Sequence, residues 1–147
     1  MRSLGTNEIR GTLKHHPSFA GCFPADKIPR VKSFPTAFIV NTEKSGEEGE
    51  HWVAFYMEED HCLYFDSFGV EVLEHSILSY LSNYYNSVIF SKIPVQDFSS
   101  VACGYFCIAF LVHVTCVDSY LHFLSQFNFD KLKTNDVICY NLLRIKY

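Results

Sequence analysis

The feature that most restricts the fold is the run YFCIAFLVHVTCV at residues 105–117, almost wholly apolar apart from His113 and Thr115. It falls short of the roughly 18 apolar residues that a bilayer-spanning helix needs. It therefore predicts a helix buried on all sides, which the rest of the chain must cover. A chain of 147 residues with 48% hydrophobic side chains and 16% aromatics has enough material to do so in one domain.

Around that core helix the chain divides without repeats or low-complexity blocks. Thr6 is a candidate cap for a short helix over residues 7–15, which Pro17 ends, and the proline-spaced FPADKIPRVKSFP reads as irregular connector. TAFIVNT, HWVAFYM and CLYFDSF read as strands, the first two separated by the solvated turn EKSGEEGE. Residues 71–85 carry a helical apolar stripe through Val72, Leu73, Ile77, Leu78 and Leu81. SVIFSKIPVQ has strand composition and delivers Gln96 to its end. A helix over 119–127 follows the core helix, and Asn135 or Asp136 caps a last amphipathic turn or two. These elements predict an α+β fold whose central sheet, mixed but leaning antiparallel, packs on the buried helix.

The small-residue cluster before the apolar run, SSVACG, places Cys103 in the first turn of that helix, with Ser99 and Ser100 as caps. Unpaired backbone N–H groups and the positive end of the helix dipole favour an anion there, and a thiol in that setting gives up its proton more readily. Gly104 is expected to keep the approach to the sulfur open. A thiolate attacking an amide needs a base, an orienter for that base and donors for the oxyanion. His51 opens a strand and is the candidate base. Asp66 ends the next strand and is the candidate orienter. With a four-residue turn over 58–61, Met57 pairs with Cys62 and Asp66 faces Val53; a two-residue turn sets Asp66 opposite His51. Both put His51 and Asp66 on one face, whereas a three-residue loop separates them. Gln96, seven residues before Cys103, is the candidate oxyanion donor beside the Cys103 N–H. Trp52 is expected to shield the base. Phe65, Phe68, Tyr105 and Phe106 are assigned to the core, Cys107 is assigned as buried filler, and the other histidines are taken as structural or exposed.

Other chemistries find less support. Cys103, Cys107 and Cys116 with His113 lack a CxxC pair, so no metal is expected. The formal charge of -4 gives no overall attraction to nucleic acid, although Arg10, Lys14, Lys27, Arg30 and Lys32 make the first third locally basic. The N-terminal MRSLGTNEIRG lacks a secretory apolar stretch, so an intracellular protein with thiols rather than disulfides is expected.

VNTEKSGEEGEHWVAFYMEEDHCLYFDSFG with VQDFSSVACGYFCIAFL resembles the adenovirus-type cysteine proteases (adenains), including those of Polinton/Maverick elements and related viruses. The resemblance runs from NEIRGTLK through at least Val117. Its most specific parts are HWVAF, the acidic residue before SFG, and Q-x6-C-G. It implies a single-domain, permuted papain-like fold, shared with proteases of ubiquitin-like modifiers, with Cys103, His51, Asp66 and Gln96 as the catalytic set. It also implies cleavage of capsid precursor proteins at glycine-containing sites during virion maturation, in the host nucleus or cytoplasm and in the virion, by a monomer that needs no cofactor for its chemistry. Adenovirus enzymes carry glutamate at the position of Asp66, where aspartate is usual in the ubiquitin-like-modifier proteases. Tyr85 stands where those enzymes have the cysteine that binds an activating peptide, so any such peptide would bind without the usual disulfide. A deconjugating isopeptidase and a non-catalytic binding domain of the same fold remain alternatives.

Overall fold

The computed structural model describes residues 2–43 and 51–146. Its centre is one five-stranded mixed sheet in the order β1 (Phe19–Pro24), β2 (Thr36–Asn41), β3 (Trp52–Met57), β4 (Cys62–Phe65) and β5 (Ile89–Phe90). The two central pairings, β2 with β3 and β3 with β4, are antiparallel; the marginal pairings, β1 with β2 and β4 with β5, are parallel. The chain is thus α+β, with the mixed sheet expected, antiparallel at its centre and parallel at its margins.

Both faces of the sheet are buried, and strand alternation sorts the side chains between them. Ala37, Ile39, Trp52, Ala54, Tyr56, Leu63 and Phe65 join one apolar cluster with helix α3 (Cys103–His113). Phe38, Val40, Val53, Phe55, Met57, Cys62 and Tyr64 join another with Ile77 and Leu81 of α2 (His75–Ser82). The expected burial of the core helix holds: eight of its residues, from Cys103 to Leu111, are buried. It lies on β3 and is flanked by α1 (Thr6–Leu13), α4 (Val117–Ser125) and α5 (Asn135–Lys146). Phe110 stacks on Phe65 at 4.9 Å, and Tyr120 of α4 packs edge-on against Phe110 while its hydroxyl donates to Tyr64 O at 2.6 Å. Each such fully buried ring is worth about 1.5–3 kcal/mol relative to exposure.

Several boundaries differ from expectation. FAGCFP, of which only Phe23 and Pro24 belong to the segment expected to be irregular, is the edge strand β1; Gly21, at φ 142, sits at its register shift, and an edge tolerates Pro24. Helix α1 begins at Thr6 rather than being capped by it, because the Glu8 carboxylate accepts from Gly5 N at 3.2 Å. Helix α2 covers only His75–Ser82, since Glu74 caps it by accepting from Ile77 N at 2.9 Å. The SVIFSKIPVQ strand shrinks to Ile89–Phe90, and Gln96 lies in a loop. The turn expected over EKSGEEGE falls, from Lys44 onward, outside the described residues. Among the described residues no helix is long and apolar enough to cross a membrane.

Candidate active site

Register decides the first contact. Met57 pairs with Cys62 and Ala54 with Phe65, which is the four-residue turn, and it brings His51 and Asp66 together one residue beyond the paired strands. His51 Nε2–H donates to Asp66 Oδ1 at 2.9 Å, and the two side chains are 16% and 8% exposed. A carboxylate only accepts, so this bond fixes which ring nitrogen carries the proton on that side. The other nitrogen, Nδ1, is the one buried side-chain N or O without a hydrogen-bond partner among the described residues. Burial pushes His51 down, but the Asp66 carboxylate and the Cys103 thiol raise it further, and its pKa rises from 6.5 to about 9. With Nε2 committed to Asp66, the influence of the Cys103 thiol falls to Nδ1.

Strict alternation would send both residues the wrong way. His51 has the parity of Val53 and Asp66 that of Tyr64, on the α2 face, whereas Cys103 rises from the α3 layer. Both lie past the last paired residue, where the pleat no longer dictates direction, and the imidazole meets Cys103 at the end of the sheet.

Cys103 is the first residue of α3 and 7% exposed. The helix N-cap is Ala102, without a side-chain cap, so the first-turn N–H groups stay available to a ligand. Ser100 does accept from Ala102 N at 3.1 Å, whereas Ser99 bonds Asp97 instead. Below Cys103 the helix is seated on β3: the Cys107 thiol donates to Trp52 O at 3.3 Å, and burial holds Cys107 firmly protonated. Gly104 has a role the sequence did not suggest. A Cβ there would lie 3.1 Å from Leu4 Cβ and 3.4 Å from Trp52 Cδ1, so the glycine admits the N-terminal segment and Trp52 against α3 rather than opening a path to sulfur. Trp52 is locked in place by donating Nε1–H to Leu4 O at 3.2 Å.

The turn Asp66–Gly69 supports the rest. Asp66 Oδ1 also accepts from Phe68 N at 2.9 Å, and Asp66 O accepts from Gly69 N at 2.8 Å. Gly69, at φ 71, lies where a Cβ would be 2.6 Å from Pro94 N, so only glycine fits. Phe68, expected in the core, stacks on the His51 ring at 4.7 Å and 22°. Ser67 O accepts from Val95 N at 2.9 Å and Gln96 N at 3.0 Å, and the Ser67 hydroxyl donates to Gln96 Oε1. The buried Gln96 amide donates in turn to Ser100 O at 2.9 Å and meets Ser100 Oγ at 3.3 Å. Its hydrogen bonds thus go to Ser67 and Ser100, not to Cys103.

Residues beyond the resemblance complete this frame. Fully buried Asn135 donates to Val95 O and Asn128 O, both at 2.7 Å, and accepts from Asn128 N at 2.8 Å; it braces the Gln96 segment instead of capping its own helix. Asp136 accepts from Ser100 Oγ at 2.9 Å. A buried asparagine cannot be told from a helix cap by sequence, because both appear as a polar residue before an apolar stretch.

All six cysteines are free, and among the described residues no group of three His, Cys, Asp or Glu side chains could hold a metal ion. His16, taken as structural or exposed, donates from Nε2 to Leu111 O at 2.8 Å because its Nδ1 accepts from Ser18 N. No protein-family model matches the chain, and a search of curated proteins finds no match.

Proposed function

We propose that the protein is a cysteine endopeptidase, with Cys103 as nucleophile, His51 as base and acid, Asp66 as orienter and Gln96 as oxyanion donor. The observation that carries this reading is the buried imidazole tied through Nε2 to Asp66, whose unsatisfied Nδ1 is left to the thiol at the start of α3. A buried imidazole held on one side by a carboxylate and facing a thiol on the other is the arrangement that activation of that thiol needs.

In the reaction the Cys103 sulfur attacks the scissile carbonyl while His51 holds the proton on Nδ1 and then gives it to the leaving amine. The oxyanion is met by the Cys103 N–H and by the Gln96 N–H that rests at 3.3 Å from Ser100 Oγ, the shorter bond to Ser100 O being kept. Asp66 keeps the imidazole in the right tautomer, and the stacked Phe68 shields it from water. The resemblance to adenains directs the substrate proposal toward glycine-containing sites in capsid precursors. Gly104 does not support that preference, since it faces Leu4 and Trp52 inside the fold.

The test is hydrolysis of an acetylated peptide ending in glycine-aminomethylcoumarin, compared between wild type, Cys103→Ala, His51→Gln and Gln96→Ala. Loss of turnover in the first two and a drop of about 10²–10³ in the third is expected. Turnover that survives Cys103→Ala refutes the reading. Labelling of Cys103 by a ubiquitin-like protein with a C-terminal electrophile, with no cleavage of a capsid precursor, would move the activity to deconjugation.

A further inference from the structure

We propose that Phe98, joined through Phe68 to His51, forms an apolar subsite for the substrate residues on the leaving-group side of the scissile bond. The inference rests on the hydrolase reading above and adds to it a specificity-determining residue.

Phe98 is 91% exposed, on the turn between Gln96 and Cys103. Its ring lies 5.6 Å from Phe68 at 41°, and Phe68 in turn lies 4.7 Å from the His51 ring. The turn that presents it is held at several points. The Asp97 carboxylate accepts from Ser99 N at 3.1 Å and from the Ser99 hydroxyl, Asp97 O accepts from Ser100 N at 2.9 Å, and Ser100 is bound by Gln96 and Asp136. An exposed aromatic ring on so braced a turn is available to a ligand with little ordering cost.

Chemistry then says which part of a peptide reaches it. The imidazole that protonates the departing amine must adjoin the leaving side of the bond, so rings stacked outward from His51 border that side. The two steps of 4.7 and 5.6 Å place Phe98 within about 10 Å of the imidazole, the reach of up to three extended residues. The ligand class is an aromatic or large aliphatic side chain on that segment, which would cover the open ring face.

Acyl transfer tests this directly. N-acetyl-diglycine 4-nitrophenyl ester acylates Cys103 with release of nitrophenolate, and phenylalaninamide or serinamide then competes with water for the acyl-enzyme. The amine nitrogen bonds the acyl carbon, the C–S bond breaks, and the amine proton passes through His51 to the departing sulfur. Phenylalaninamide should outcompete serinamide about tenfold in wild type, the scale on which one apolar group is discriminated. That ratio should collapse toward parity in Phe98→Ser and persist in Phe98→Leu. Because each ratio is measured within one variant, it is independent of how fast Cys103 is acylated. Acylation of Cys103 with the same ratio in wild type and Phe98→Ser overturns the subsite alone. Absence of any acyl group on Cys103 by intact mass overturns the hydrolase reading, and the subsite with it.

Discussion

Replacing Asp66 by Asn probes the electrostatics of the site with almost no change of shape. The amide keeps an oxygen where Oδ1 accepts from His51 and Phe68 N, and only the charge is lost. His51 rises from 6.5 to about 9 against the opposing effect of its own burial, with Asp66 the largest of the groups that raise it. The net rise is worth about 3 kcal/mol at ~1.4 kcal/mol per pH unit. Without the carboxylate charge, burial is opposed mainly by Cys103, so the midpoint should fall by at least about one unit. Ring proton resonances of histidine-labelled protein, with His51 assigned from His51→Gln, give the titration directly. Retention of a midpoint near 9 in Asp66→Asn would refute the account, and so would a wild-type midpoint at the ordinary 6.5.

The same shift makes stability depend on pH. A raised imidazole contributes fully below pH 6.5, where it is charged folded or unfolded, and the contribution disappears as pH rises through about 9; denaturant midpoints should therefore fall across that window by an amount equivalent to up to about 3 kcal/mol, and His51→Gln should flatten it. Above the unfolded thiol range near 8.5, burial of Cys22, held up to about 12, adds a further loss that His51→Gln leaves in place. Gly69→Ala should lower stability by at least about 2 kcal/mol in urea unfolding, because the new Cβ meets the Pro94 backbone in a left-handed conformation; an unchanged midpoint would contradict the described turn. In iodoacetamide labelling at pH 6 read by mass spectrometry, Cys103 should compete only with exposed Cys116, whose pKa is lowered by the Ser119 hydroxyl. His51→Gln should slow Cys103 at least about tenfold while Cys116 stays unchanged as an internal control. Equal slowing of both would argue against activation by the imidazole.

Where alternation and capping act locally, sequence reasoning reached the structure closely. The buried helix, the β2–β3–β4 meander and the sharing of one face by His51 and Asp66 all follow from patterns a few residues long. Cys103 at the first position of α3 follows from small residues giving way to apolar ones. Local patterns could not give β1, whose strand character depends on pairing with β2, nor the shortness of β5, whose partner β4 supplies only Leu63 and Tyr64.

What the sequence by itself determined is therefore which residue types are available and which neighbours along the chain share a face, because backbone periodicity is set within a few bonds. Only the tertiary structure decided that His51 and Asp66, of α2-face parity, join at the sheet's end with the imidazole beside a sulfur from the opposite layer. It also decided that Gly104 admits Leu4, that Asn135 braces Gln96 and that Phe68 lies on the imidazole. Those contacts join segments tens of residues apart, and their geometry exists only once the two apolar clusters have closed around the sheet.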